Sequence, residues 1–175
     1  MLRKVFDIGF RVWELLWSIL VMAMIGNIIA MADSGNPATV NYGMFCAAFS
    51  LVSLFYLFPA TINSDWSLHP ILMIILDLLN AIFFLSEGIA LAARLECHSC
   101  NNRHYLLHNG ITNGAKHRLT QRCREAQAAV AFLWFCWFGY TVSLVFSIIT
   151  ASKFRGVNLR SRGRRASGRP GMAQV

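Results

Sequence analysis

Asp77, Asn80 and Glu87 are the residues of this chain whose types and spacing most invite chemistry, because they sit inside an apolar run covering residues 70–93. At helical spacing the three fall within about 80° of one another and share a face. A carboxyl group at membrane depth costs about 2.5–3.5 kcal/mol on insertion scales, so that face is expected to point into a helix bundle. Two chemistries are open for it. Asp77 could bind a proton, an ion or a lipid headgroup drawn into the bundle. Alternatively, a protonated or hydrogen-bonded Asp77 could fix helix register through Asn80 and through Asn27 on the first apolar run. A transport path would bring broken helices or repeated halves, and the sequence has neither, so the register role is favoured. Glu87 lies nearer the end of its run and is expected to reach water.

A second group stands between residues 94 and 125, where Cys97, Cys100 and Cys123 occur with His98, His104, His108 and His117. Zinc would need a second close Cys pair, and an extracytoplasmic segment favours oxidised sulfur, so no metal or other cofactor is expected. Pairing Cys100 with Cys123 would staple the ends of two helices, whereas Cys97 with Cys100 would close only a tiny ring. The histidines form a surface that gains charge in an acidic medium. Cys46 and Cys136 lie within apolar runs. No nucleophile–base pair, phosphate loop or paired catalytic carboxylates appear at useful spacing, so an enzyme is not expected.

The elements that must position these groups are four apolar stretches, at residues 12–31, 42–61, 70–93 and 126–150. Each is long enough to cross a hydrocarbon core of about 30 Å at about 1.5 Å rise per residue. With 56% hydrophobic and 14% charged residues, the chain cannot build an ordinary water-soluble surface. The expected fold is an all-α, antiparallel four-helix transmembrane bundle over residues 1–151, followed by a basic tail at 152–175. Ala30-Met31-Ala32 resembles a signal cleavage site, but the apolar run from Leu15 to Met31 exceeds a signal core, so it is expected to remain as the first span. Each span also holds two small residues one turn apart: Gly26 and Ala30, Gly43 and Ala47, Gly88 and Ala92, Gly139 and Ser143. Such pairs let backbones approach closely where lipid supplies no hydrophobic drive.

Charge sets the expected orientation. Four spans put both termini on one side, where three basic residues precede the first span and seven follow the last, against six in the third loop. Short flanks dominate the positive-inside bias, so both termini are expected to be cytoplasmic. Before the first span Lys4, Asp7, Arg11 and Glu14 form a helical stripe of alternating sign, expected to pair in the headgroup zone. After the last, Lys153, Arg155, Arg160, Arg162, Arg164, Arg165 and Arg169 come without an acid. Gly156, Gly163, Gly168 and Pro170 discourage a helix there, so a disordered strip that holds anionic lipid is expected, not a nucleic-acid arm.

The sequence from Cys100 to Leu133 is also specific as a pattern. His98-Ser99-Cys100-Asn101-Asn102, Tyr105, Asn109, Ile111-Thr112, Gly114, Arg122-Cys123-Arg124 and Ala126-Gln127-Ala128-Ala129-Val130-Ala131-Phe132-Leu133 closely resemble the fungal non-classical export protein family, a group of MARVEL-domain tetraspan proteins. Val40-Asn41-Tyr42, Leu76-Asp77, Leu79-Asn80 and Gln174-Val175 extend the resemblance over nearly the whole chain. It implies a plasma-membrane protein of the furrow-like compartment associated with eisosomes, connected with sphingolipid homeostasis and unconventional secretion. The implied partners are sphingolipid, sterol or anionic lipid and eisosome-associated proteins, with a homo-oligomer as a further expectation. The matching positions are Asp77, Asn80, Cys100, Cys123, Arg122 and Arg124, whereas Cys97 and Glu87 depart from the pattern, which has small residues there. A small transporter or channel using Asp77 is the competing function.

Overall fold

The computed structural model describes residues 2–33, 35–63, 70–96, 98–115 and 118–166, with side chains from Arg3 to Ser152 except Pro70. The apolar runs become α1 (Leu2–Ala30), α2 (Ala38–Ile62), α3 (Pro70–Leu95) and α5 (Leu119–Ala166), and a short α4 (Arg103–His108) lies in the third loop. Helices satisfy their own backbone groups, which hydrocarbon demands of any spanning segment. Four of them are long and apolar enough to cross a membrane. This is a multi-pass membrane protein.

Helix limits follow local chemistry more than hydropathy. Pro37, in the extended region, precedes α2, and Pro70 opens α3 at the position where its missing N–H costs nothing. Pro59 falls in the last turn of α2, where Asn63 N–H closes on its carbonyl at 2.9 Å. α3 stops at Glu96, whose φ of 50° is left-handed without being a glycine. The helix α5 is drawn through the apolar span and on to Ala166. An established helix adds residues without a new nucleation cost, and Arg, Leu, Lys and Ala around Gly156 and Gly163 favour that extension.

α1 packs against α2 and α5, and α3 against α2 and α5, so the four long helices close a ring in which every neighbour is antiparallel. α1 and α3 face each other across the diagonal. The bundle thus has a terminal end, where α1 begins and α2 and the apolar part of α5 finish, and an opposite loop end. Val21, Ile25, Phe84, Leu91 and Leu133 are fully or almost fully buried between the helices, while Val52 and Phe55 are 69% and 83% exposed on the outside. Such an apolar exterior suits lipid, not water.

The small-residue pairs act unequally. A Cβ at Gly43 would lie 2.9 Å from Glu87 Oε1 and 3.1 Å from Ile25, and one at Gly139 would lie 2.9 Å from the Trp13 ring. Those two positions admit only glycine without a shift. Gly88 would make ordinary contact with Trp134, and Gly26 faces open space.

Candidate functional site

Arg11 enters from α1 and spans the diagonal to α3. Its two terminal nitrogens donate to Asp77 Oδ1 and Oδ2 at 2.6 and 2.9 Å, and the first also donates to Glu14 Oε2 at 2.9 Å. Arg11 Nε reaches Thr61 of α2 at 3.3 Å, while α5 contributes Ser147 to Asp77 at 2.9 Å and Ser143 to Glu14 at 2.5 Å. Arg11 is 3% exposed and both carboxylates are fully buried, so all four long helices meet in one charge lock. A guanidinium is the cation whose planar fork matches a carboxylate with two bonds. The lock uses both Asp77 oxygens.

This arrangement corrects three expectations. Arg11 and Glu14 pair with each other at the stripe's spacing, but they do so buried inside the bundle and not exposed among headgroups. Arg3, next to the stripe in sequence, donates to the Phe146 carbonyl at 3.1 Å and to Thr150, tying the start of α1 to α5. Asp77 is hydrogen-bonded inside the bundle, but its partners are Arg11 and Ser147 and not Asn80 or Asn27. Asn27 lies at the loop end, donating to Glu125 at 2.7 Å, far along α1 from Asp77.

Asn80 sits one turn beyond Asp77 and donates to Ser53 Oγ at 2.8 Å and to the Leu76 carbonyl at 2.9 Å. Beside it Ser50 bonds Ser18 at 2.6 Å and Tyr140 at 2.7 Å, joining α1, α2 and α5 through hydroxyl groups. Phe84, stacked on Tyr140 with ring centroids 5.7 Å apart, ends this polar layer toward the loop end.

Glu87 stands beyond that point. Its side chain is fully buried, against the expectation that it reaches water, and neither carboxyl oxygen has a hydrogen-bond partner. Its carboxyl lies against Gly43 of α2, which explains why that helix can come so close. On the lipid side, the adjacent residues Tyr42 and Ser86 join their hydroxyls at 2.8 Å.

The loop end is closed by a second polar assembly. The structure joins Cys100 and Cys123 by a disulfide, with Cα atoms 5.7 Å apart. Tyr105 donates to the Leu95 carbonyl at 2.6 Å and Asn109 to Arg94 at 2.7 Å, serving orphan carbonyls at the end of α3. The fully buried Arg122 donates to the carbonyls of Ile111 at 2.6 Å and Ile28 at 2.5 Å and to Asn36 at 3.0 Å. A Cβ on Gly114 would lie 3.0 Å from that guanidinium. Arg122 thus ties loop, α1 and α5 together. Arg124, the other matching arginine, enters none of these contacts.

Among the described residues no three His, Cys, Asp or Glu side chains converge on a metal-sized centre. His104 and His108 stack at 4.3 Å, and His98 meets the edge of Tyr105 at 5.0 Å. Cys97 and His117 lie outside the described residues, as does Arg169. For Lys153, Arg155, Arg160, Arg162, Arg164 and Arg165 the backbone helix is described but the side chains are not.

Four antiparallel apolar helices, a charge lock at one end and a disulfide-bearing clasp at the other define a membrane-associating tetraspan protein. Residues 4–146 match the model of the MARVEL family, described as a membrane-associating domain, and the chain belongs to that family. It is 33% identical over 172 residues to non-classical export protein 2 of Saccharomyces cerevisiae, covering 94% of this chain and 95% of the relative. With non-classical export protein 2 homolog 1 of the same yeast it shares 31% over 171 residues, again covering 94% and 95%. Non-classical export protein 102 of Candida albicans is 32% identical over 170 residues, with 97% of each chain covered. No solved structure matches the chain.

Proposed function

We propose that this chain is a non-enzymatic organiser of plasma-membrane domains, with both termini cytoplasmic. The compartment is the furrow-like, eisosome-associated one, where the bundle responds to lipid and supports sphingolipid homeostasis and unconventional export. The names of the relatives support the export link. The observation that carries the organiser reading is the charge lock: Asp77 spends both oxygens on Arg11 and Ser147 and joins opposite helices instead of lining a path. What is left for function is the outer surface, whose apolar belt meets lipid, and the basic continuation of α5, which meets anionic headgroups. Eisosome-associated proteins and further copies of the chain are the protein partners of this reading.

Two measurements separate it from a transporter or channel that uses Asp77. Purified protein in liposomes is expected to give no ion conductance or proton uptake above empty vesicles, while tagged protein in cells forms discrete patches. Conductance or uptake abolished by Asp77→Asn, in a variant that still folds and localises, would replace the organiser reading with the transport one.

A further inference from the structure

We propose that the cleft beside α4 at the loop end binds a divalent transition-metal ion, with His104 and His108 as a chelating pair. Cys100 and Cys123 of this end are spent on the disulfide, whereas its histidines are not. The cleft, of about 250 Å³, lies between the end of α3 and α4. Three of its lining side chains are already engaged. Asn102 accepts from the backbone N–H groups of His104 and Tyr105, Tyr105 donates to the Leu95 carbonyl, and Asn109 donates to Arg94 and accepts from Ile111 N–H. The remaining four are Glu96, His98, His104 and His108, all exposed, and the only hydrogen bond to their side chains among the described residues is one at His108. One carboxylate and three imidazoles are the donor set of a borderline divalent cation. An anion would meet the Glu96 carboxylate, and a hard cation such as calcium would find too few oxygens.

The short helix presents the pair in a form suited to an ion. His104 and His108 stand one helical turn apart, so both rings leave the same face. The His108 Nδ1 lies 2.8 Å from the His104 carbonyl. A carbonyl only accepts, so Nδ1 carries the proton and Nε2 keeps its lone pair for a metal, the outer contact that commonly orients a ligating imidazole. An ion about 2 Å from a ring nitrogen stands about 3 Å from the ring centre, so two rings meeting one ion at a right angle have centres about 4.5 Å apart. Here the centres are 4.3 Å apart, with the planes 23° from parallel. The separation already suits a shared ion. What remains is a turn of the His104 ring about χ2, a soft torsion that no hydrogen bond among the described residues opposes. The frame beneath the pair is held, since Asn102 caps α4, Leu106 is buried, and the Cys100–Cys123 disulfide joins the segment before α4 to α5. A frame fixed in advance surrenders little freedom on binding. Glu96, at the end of α3, lines the same cleft, so an ion completed by that carboxylate and by water ties α4 to α3.

The test uses the full-length protein, purified without a histidine tag, in lipid nanodiscs, with copper(II), nickel(II) and calcium titrated in parallel. Copper is expected to bind as a single equivalent, about tenfold or more tighter than nickel by the general order of divalent ions, while calcium gives no signal. The bound copper should show hyperfine coupling to imidazole nitrogen. In the unaltered protein it should also protect His104 and His108 from diethyl pyrocarbonate, read by peptide mapping. His104→Gln and His108→Gln, both at exposed positions, should each weaken copper about tenfold or more and leave the metal-free unfolding midpoint unchanged. Wild-type copper affinity in the double variant, calcium binding as tight as copper, or reaction of both histidines undiminished by copper would overturn the site.

Discussion

Neutralising the two acids of the charge lock, one at a time and then together, should give losses that do not add. Arg11 supplies one positive charge against Glu14 and Asp77, so Glu14→Gln or Asp77→Asn alone leaves one cation facing one anion. The new amide oxygen still accepts from the guanidinium. Each single variant therefore loses only the difference between a charged and a neutral acceptor, about 1 kcal/mol. The double variant leaves Arg11, 3% exposed, with no anion, and an uncompensated buried charge costs about 3–5 kcal/mol. The double should exceed the sum of the singles by about 1–3 kcal/mol, on the order of ten- to hundredfold in the folded-to-unfolded ratio. Adding Arg11→Met to the double variant removes the stranded charge and should recover most of that excess. Reversible unfolding in lipid–detergent micelles, followed by tryptophan fluorescence, measures all four. A double variant that matches the sum of the singles within about 0.5 kcal/mol, or a triple no better than the double, would refute the lock.

Three further outcomes are expected. Non-reducing proteolysis with mass spectrometry should recover the Cys100 and Cys123 peptides linked, and Cys100→Ser should lower stability by about 3 kcal/mol for this 23-residue separation; recovery of both as free thiols from alkylated native membranes would contradict the pairing. Arg122→Lys, which cannot hold three acceptors with one planar fork, should cost about 2 kcal/mol and speed amide exchange in residues 103–115 more than around Asp77, and Gly114→Ala should do the same more weakly. Replacing Arg160, Arg162, Arg164 and Arg165 by Gln, with orientation verified, should disperse membrane patches and weaken binding of the isolated tail to anionic vesicles; wild-type binding that does not fall with salt would exclude electrostatics.

The spans were legible because bilayer thickness imposes a length that apolar runs display directly. The inward turn of Asp77 and Asn80 was legible from angle and cost alone. Their partners were not. Helical spacing fixes the face of Arg11 and Glu14 but not their depth, and a stripe of alternating charge reads alike whether it pairs among headgroups or inside a bundle. One signal existed: Gly139 and Ser143 on α5 give room beside Trp13 and Glu14, and only a buried Glu14 needs that room. Glu87 misled because nearness to a helix end suggested water, whereas the close approach of α2 at Gly43 covers it.

Arg11 connects helices that are separated in the chain by α2 and do not pack on each other directly. During synthesis the first hairpin therefore enters the bilayer with a guanidinium whose carboxylate partner on α3 has not yet been made. In that hairpin it has Glu14 and Thr61 beside it, and Glu14 lacks Ser143 until α5 follows. A chain cut short after α2 or α3 presents ionic groups to hydrocarbon, the kind of exposed flaw by which membrane quality control recognises an unfinished protein. Completion of α5 hides it. The same residues that hold the finished bundle together thus leave every incomplete one with ionic groups short of partners in hydrocarbon.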